Sequence, residues 1–239
     1  MSVAIGIWLL VLAMGLAAGC YRLWRNQQRI ALLRQFSVGK GWRFWSEDDE
    51  YALRWHCPPF GQGRHRRARN VILGTYHGAA APWQFAAFDY SYVTDSSDSK
   101  SSSSQTHRFA VCAVSLPTYL PPLCVTPSNL LTRMSNAVLG EQIELESEDF
   151  NRRFHVESPV PKFASDVLPP RTMESLLRAT PLHLRVQGDV VLCWEPGVLT
   201  PLPLLARLAT VCAFADGIPG FVWHDYGPET GANAGTESR

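Results

Sequence analysis

The stretch that decides the fold is "WQFAAFDYSYVTDSSDSKSSSSQTHRFAVCAVSL", residues 83–116. Its first part, residues 83–94, predicts a β-strand with Phe88, Tyr90 and Tyr92 on one face, because alternate residues of a strand point the same way. "THRFAVCAVSL", residues 106–116, predicts the next strand. The serine-rich segment between them, residues 95–105, is too polar to bury and is interpreted as a flexible loop. We therefore expect an antiparallel hairpin.

A basic segment, "GRHRRARNVILGTY", residues 63–76, precedes this hairpin. Its apolar part, residues 71–76, predicts another strand, and its arginines predict a basic loop entering that strand. Such a loop can contact phosphate on a lipid headgroup, a nucleotide or a nucleic acid; the alternative is a solvated strand end. "GQG", residues 61–63, is not a P-loop, because it lacks the Lys-Ser/Thr ending and precedes a strand. The candidate phosphate contacts are Arg64, Arg66, Arg67 and Arg69.

The N-terminal segment "SVAIGIWLLVLAMGLAAGCY", residues 2–21, contains no charged residue. As a helix it would be about 30 Å long, the thickness of a bilayer core. We predict an uncleaved transmembrane anchor, since a cleaved signal peptide usually carries a positive region before its apolar stretch. The alternative is a lipoprotein signal, suggested by "LAAGC" ending at Cys20, although Ala17 stands where a larger aliphatic residue is usual.

Positive charge follows this anchor on one side only, at Arg22, Arg25, Arg29 and Arg34. The positive-inside rule then predicts a single-pass protein of the cell membrane with its N-terminus outside and its soluble domain in the cytoplasm. Residues 22–40 have apolar residues at near-helical spacing and predict a basic juxtamembrane helix. Arg22, Arg25 and Arg29 are candidate contacts to anionic lipid. The alternative is an ordinary flank that continues into a packed helix.

The acid-rich stretch "IELESEDFNRRFHVES", residues 143–158, resembles an active site at first sight. Its alternation instead predicts an antiparallel hairpin, with Glu144 and Glu146 opposite His155 and Arg153 on the wet face. Ser147 is predicted to cap one helical turn, with Phe150 tucked beneath it. Catalysis would require a carboxylate in a dry cleft, whereas this pattern predicts wet ones.

The rest of the chain supplies short helices and further strands. Predicted helices begin at Ser46, cover residues 128–140, and lie on either side of Pro169-Pro170 with Thr172 as the second cap. A last helix is predicted over residues 200–219, with an apolar stripe formed by Leu204, Leu205, Leu208, Val211 and Cys212. A hairpin over residues 182–194 is predicted to turn at 187–189, and residues 227–239 are predicted to be disordered. We expect seven or eight strands, hence an α+β fold with an antiparallel sheet over residues 41–226. A pleckstrin-homology-like half-barrel with a closing C-terminal helix is one specific form.

Composition narrows the function classes. The formal net charge is +1, so no overall field favours nucleic acid. The six cysteines contain no C-x-x-C pair or zinc-knuckle spacing, and in the cytoplasm they should stay reduced. Local signatures of hydrolases, zinc proteases and kinases are missing from the sequence, so we name no catalytic, cofactor or metal residues.

Several segments together resemble an uncharacterised family of bacterial membrane-anchored proteins. They are "FDYSYVT" with "THRFAV", "IELESEDFNRRFHV", "FASDVLPPRTMESLL" and "DGIPGFVW", within about residues 41–223. The resemblance implies an anchor followed by a soluble domain and brings no established activity. The sequence therefore predicts a non-catalytic binding or scaffolding domain at the inner face of the membrane, with a protein partner or anionic lipid as ligand. The alternative is an enzyme of unrecognised type acting near the membrane.

Overall fold

The computed structural model describes residues 2–98, 101–128 and 142–227. Within these ranges every strand pair is antiparallel, which confirms the predicted α+β class. The helices are α1 (Ser2–Gly39), α2 (Glu50–Leu53), α3 (Glu148–Arg153), α4 (Pro161–Val167), α5 (Pro170–Arg178), α6 (Pro201–Asp216) and α7 (Gly220–Asp225). The strands are β1 (Arg43–Glu47), β2 (Arg64–His77), β3 (Pro82–Asp98), β4 (Ser101–Pro127), β5 (Phe154–Glu157) and β6 (His183–Pro196).

The sheet is organised around β4, which spans 27 residues. The strand order is β1-β2-β3-β4-β5, and β6 also pairs with β4. This is geometrically allowed because β4 is used in two parts: residues 109–114 lie between β3 and β6, whereas residues 124–125 lie between β5 and β6. The pleckstrin-homology-like form stays a prediction.

Both faces of the sheet are covered, and we name them by what covers them. The helix face packs against α1 and α3–α7, with Leu33, Phe150 and Leu208 in its core. The aromatic face packs against α2 and the loop that follows it. The predicted common face of Phe88, Tyr90 and Tyr92 is confirmed, because all three are buried in this second core.

The predicted anchor and the predicted juxtamembrane helix form one continuous helix, α1, of 38 residues. From Ile7 onward α1 is long and apolar enough to cross a membrane, with a mean hydropathy of 1.6 in a window that is not buried in the domain. The helix ends at Gly39, and the chain turns through Gly41, whose φ is +74°. The chain therefore enters β1 directly from α1.

The serine-rich segment is strand, and the predicted loop over residues 95–105 is wrong. The β3–β4 hairpin itself is confirmed, but its pairing continues outward from Phe85↔Val114 to Asp98↔Ser101, with residues 99–100 outside the described part. Two paired strands satisfy each other's backbone groups, so a polar segment can be extended without entering a core.

The predicted helix start at Ser46 is also wrong, because Ser46 lies in β1. This strand pairs with β2 through Arg43↔Leu73 and Glu47↔Arg69. Helix α2 starts only at Glu50, with Asp49 at its N-cap position. Pairing with β2 outweighed the local capping signal, since tertiary context overrides weak helix propensity.

The predicted hairpin over residues 182–194 is wrong as well. β6 passes through this region as one strand, paired with β4 on both sides of residues 187–189. Gly188 has a φ of +65°, and the β4–β6 register shifts between Ser115 and Leu120. The left-handed backbone conformation of Gly188 bends β6 without reversing its direction. The expected seven or eight strands are therefore six among the described residues.

The acid-rich stretch is architectural, largely as predicted. Ser147 is the N-cap of α3, its Oγ accepts a hydrogen bond from the Phe150 amide at 3.3 Å, and Phe150 is fully buried. Ile143 and Leu145 are half-buried and pack against the core, while the glutamates between and after them are exposed.

The details of this stretch differ from the prediction in two ways. The segment before Ser147 makes one isolated β-bridge, Gln142↔Glu157, in the register expected for the hairpin. The Asn151 side chain holds the end of this segment through hydrogen bonds to the Leu145 backbone at 2.7 and 3.0 Å. The salt bridges also differ, because His155 contacts Glu157 at 2.9 Å on its own strand. Asn151 satisfies the backbone locally, so a full ladder is unnecessary.

The C-terminal helices agree with the sequence except in three respects: one cap differs, α6 ends at Asp216 rather than at residue 219, and α7 was not predicted. α4 and α5 are separated at Pro169-Pro170 as predicted, but Pro169 is the N-cap of α5 and Thr172 lies buried inside it. The predicted stripe of α6 is confirmed at Leu204, Leu208, Val211 and Cys212, which are buried, whereas Leu205 is half-buried. The predicted helix over residues 128–140 and the predicted disordered tail lie outside the described residues apart from their first residues.

Candidate functional site

The second half of α1 packs onto the helix face of the sheet. Leu33 and Ser37, one turn apart, are fully buried, and the Ser37 hydroxyl donates to the Leu33 carbonyl at 2.8 Å. Phe36 packs edge-on against Trp42, and Trp42 packs edge-on against Phe85 of β3. The helix that carries the apolar N-terminal segment is therefore part of the core of the domain.

Polar contacts close this junction at one end. Arg29 Nη1 donates to Asp89 Oδ2 at 2.9 Å and to the Leu199 carbonyl at 2.8 Å. Asp89 also accepts from Asn70 Nδ2 at 2.7 Å and from the Leu199 amide at 2.6 Å. We call Arg29, Asn70, Asp89 and Leu199 the α1 clasp. It joins α1, β2, β3 and the segment before α6 through one carboxylate.

The local conformation of the chain makes the clasp geometry achievable. Asn70 has a φ of +52°, a conformation that Asn adopts more readily than most residues, and it lies where the β2–β3 register shifts between Arg69 and Ile72. This irregularity brings the Asn70 amide to Asp89. The side chains of Arg29 and Asp89 are only 16% and 13% exposed, so their ion pair is poorly screened by water.

A second acid–arginine pair lies beside the clasp. Asp89 and Glu195 are both cross-strand partners of Ala110, so they share the helix face at about 10 Å, two strand spacings. Glu195 contacts Nη2 of Arg207, a buried residue of α6. Nε and Nη1 of Arg207 have no hydrogen-bond partner among the described residues. Glu195 therefore compensates a buried charge that is otherwise poorly satisfied.

The predicted basic loop is wrong, because its arginines lie in β2, which already begins at Arg64. We call Arg64, Arg66, Arg67 and Arg69 the basic strand. The backbone of this segment pairs with β3, for example through Arg67↔Ser91 and Arg69↔Asp89. Polar side chains do not prevent strand formation at the solvated end of a sheet.

The basic strand makes exposed ion pairs. Arg64 is bidentate to Asp95 at 2.7 and 2.8 Å; these hydrogen bonds raise the pKa of Arg64 and lower the pKa of Asp95. Arg67 and Arg69 share one carboxylate, Glu47, at 3.1 and 3.5 Å. Exposed pairs of this kind are worth about 0–1 kcal/mol, so they exchange readily. Arg66 Nε donates to the Gly63 carbonyl at 3.3 Å.

The remaining predicted arginines lie on α1 before the clasp. Arg22 and Arg25 are exposed, and their spacing places them on the same side of the helix as Arg29, which contacts the sheet. Tyr21 and Trp24, also exposed, lie beside them with ring centroids 6.1 Å apart. Of the seven arginines predicted to contact lipid or phosphate, Arg29 is held in the α1 clasp. The other six are at least partly solvent-accessible.

Cys57, Cys124 and His183 lie on the aromatic face of the sheet, and neither thiol has the lowered pKa of a nucleophile. Cys124 is the cross-strand partner of Glu157 on one side and of Arg185 on the other. Burial raises the pKa of the Cys57 and Cys124 thiols and lowers the pKa of His183 to about 4. A nucleophilic cysteine requires a lowered pKa. Within residues 2–98, 101–128 and 142–227, no three potential ligands among His, Cys, Asp and Glu converge as a metal site would.

A solvent-open cleft of about 200 Å³ lies between α2 and four strands, β2, β3, β4 and β6. Its polar lining includes Tyr51, Arg54 and Asp189. Burial raises the pKa of the Tyr51 phenol, so Tyr51 is neutral at physiological pH. The described lining contains no histidine or cysteine.

Comparison with known proteins gives a fold and no family. No protein-family model and no curated protein matches the chain. The chain is similar to the crystal structure of the mycobacterial trehalose monomycolate transport factor A, TtfA, with a TM-score of 0.54. The two share 15% sequence identity, and the match covers 79% of this chain and 93% of TtfA. At this identity, the similarity shows a shared fold and nothing further.

Arg29 was predicted from the sequence as a contact residue, whereas its partner Asp89 was not predicted. Asp89 follows Phe85 and Ala87 on one face of the predicted strand, so it is a lone acid at a core-facing position. Such an acid needs a hydrogen-bonded or charged partner. That signal was available in the sequence, whereas the identity of the partner, 60 positions away, was not.

Proposed function

We propose that the protein is a membrane-tethered, non-catalytic binding or scaffolding domain at the inner face of a bacterial membrane. The observation that carries this proposal is the unbroken path of α1 from its apolar segment into the α1 clasp. A flexible tether only keeps a domain nearby, whereas a helix locked into the core also sets which surface faces the bilayer. Such fixed orientation suits a protein that presents a surface to a partner.

The inner-face location is supported by charge. The arginines that follow the apolar segment, two of them exposed on α1 ahead of the clasp, favour a cytoplasmic domain. The resemblance to uncharacterised bacterial membrane-anchored proteins belongs to the same proposal. The fold shared with a protein described as a transport factor suggests the setting, namely an accessory role beside a membrane transport assembly.

The proposal is tested with the full chain in bacterial membranes. A C-terminal reporter enzyme that is active only after export should be inactive, and the protein should stay in the pellet after a carbonate wash. Export activity or release by carbonate would contradict the proposal.

Fixed orientation is tested separately on the full chain in nanodiscs. Spin labels at positions 25 and 94 should give a narrow distance distribution if α1 is locked to the sheet. Arg29→Ala with Asp89→Ala should broaden it, whereas the matched pair Arg64→Ala with Asp95→Ala should not. A broad distribution in the unmodified protein would remove the basis of the proposal.

A further inference from the structure

We infer that Arg67, Ser91 and Arg108, three consecutive positions across β2, β3 and β4, form a site for the anionic lipid headgroups of the membrane that α1 crosses. We call these residues the headgroup row. The inference rests on the proposed membrane function and deepens it by naming the ligand. Arg67 was predicted to contact phosphate, while Ser91 and Arg108 become part of a site only through the fold.

The direction of α1 on the sheet defines which end of the domain is nearer to the membrane. Arg29 contacts Asp89, and seven residues further along α1, Phe36 reaches Phe85 through Trp42. The N-to-C direction of α1 therefore runs opposite to that of β3: later residues of α1 lie over earlier residues of β3. The opposite direction along β3, from Asp89 toward Asp95, leads back toward the membrane.

The headgroup row lies on that side of the clasp. Ser91 is the cross-strand partner of Arg67 on β2 and of Arg108 on β4. It lies two residues beyond Asp89, about 7 Å at the rise of a strand. Along α1, Arg29 is followed toward the apolar segment by Arg25 and Arg22, about 6 and 10 Å away at the rise of a helix. The row thus lies at a depth similar to that of these two arginines.

The row also points to the same face as the clasp. Residues directly opposite one another project to one face, and alternate residues of a strand share that face. Ser91 therefore shares the helix face with Asp89, while Tyr90 and Tyr92 are buried on the aromatic face. Arg67 and Arg108 are exposed, and the small Ser91 lies between them. Two guanidinium groups on either side of a hydroxyl match the acceptors of a phosphate.

Nearby acids only partly neutralise this surface. Arg67 and Arg69 share the single negative charge of Glu47, so these three side chains together carry one net positive charge. The acids at positions 48–50 lead into α2, whose Tyr51 and Ala52 pack on the aromatic face. The pair of Arg67 with Glu47 is about half exposed, which lets a headgroup phosphate replace Glu47 at little cost.

The test uses the full chain in proteoliposomes that contain spin-labelled phosphatidylglycerol or phosphatidylcholine. The measured quantity is the preference of the protein-associated lipid for phosphatidylglycerol. Arg67→Gln with Arg108→Gln should lower this preference about fivefold, the effect of one arginine near an anionic leaflet, because Glu47 already offsets part of Arg67. Arg67→Lys with Arg108→Lys should retain most of the preference.

The matched control is Arg178→Gln with Arg171→Gln on α5, again one exposed arginine paired with a glutamate and one exposed neighbour. This control should leave the preference unchanged. An equal loss in both glutamine variants, or none in the first, would overturn the inference. Competition by 10 mM inorganic phosphate would reassign the row to a soluble anion and also overturn it. If the chain failed to insert, the carbonate wash would show it, and the proposed function would fail instead.

Discussion

The Arg29–Asp89 and Arg64–Asp95 pairs are almost the same interaction by distance, 2.9 and 2.7 Å, yet they lie in different surroundings. The side chains of the first pair are 16% and 13% exposed, and those of the second 54% and 55%. Asp89 also satisfies Asn70 and Leu199. Burial and shared hydrogen bonds make the first arginine part of the architecture, whereas exposure leaves arginines of the second kind available to a ligand.

The largest expected effect comes from breaking the buried pair. Asp89→Ala removes the carboxylate that accepts from Arg29, the Asn70 amide and the Leu199 N–H, and should lower the free energy of unfolding by about 3 kcal/mol. The measurement is urea unfolding of the full chain in detergent micelles, followed by tryptophan fluorescence. Asp95→Ala is the control and should unfold like the unmodified protein. Equal destabilisation by the two variants would mean that burial does not separate the pairs.

The neighbouring pair extends the comparison to an arginine that is more deeply buried. Glu195→Ala leaves Arg207 uncompensated and should cost about 2 kcal/mol, less than the loss of Asp89 because the Glu195 side chain is 35% exposed. Glu195→Ala combined with Arg207→Met should recover most of this loss, since an apolar side chain then replaces the buried charge. The same unfolding measurement decides the question. A double variant no more stable than Glu195→Ala would contradict this account.

His183 is a basic side chain that burial keeps neutral, whereas the largely buried arginines Arg29 and Arg207 are charged and paired with an acid. Its pKa is about 4 in the folded chain, so only the unfolded chain takes up this proton as pH falls below about 6.5. Stability is therefore lost between about pH 6.5 and pH 4, with a limiting slope of about 1.4 kcal/mol per pH unit.

His183→Leu should remove this part of the pH dependence. Unfolding curves of the variant and the unmodified protein between pH 4 and pH 7 test it, with His77→Gln as the exposed control. If the His183→Leu curve kept the original slope, the assignment to His183 would be wrong.

The smallest effect is expected at the exposed pair. Arg64→Gln should leave the unfolding midpoint unchanged while raising the pKa of Asp95 toward its ordinary value, because its hydrogen bonds with Arg64 lower that pKa in the native protein. Titration of the Asp95 carboxyl group by NMR measures the shift. A clear change in midpoint would show that this surface pair is also structural.

The elements that were predictable had short-range signals. The alternation around Phe88 and Tyr90, the Ser147 cap with Phe150 beneath it, and the apolar stripe of α6 were each confirmed because neighbouring residues are enough to define them. The failures at Ser46 and at residues 187–189 have one cause. In both places a distant strand offered pairing that outweighed the local helix or turn preference.

The candidate site was predictable only in part for the same reason. Arg29 and Arg67 could be named from the sequence, but their roles could not, since these depend on which residues the fold brings beside them. Asp89 is 60 positions from Arg29, and Arg108 is brought to Arg67 only through β3.

The sequence by itself determined the apolar helix, the mixed α+β class and the buried faces of its strands, because hydrophobic pattern and residue spacing act over a few positions. Only the tertiary structure decided that α1 enters the core and which arginines lie beside an acid or at solvent. An ionic contact depends on distance and burial in space, and these are properties of the packed chain.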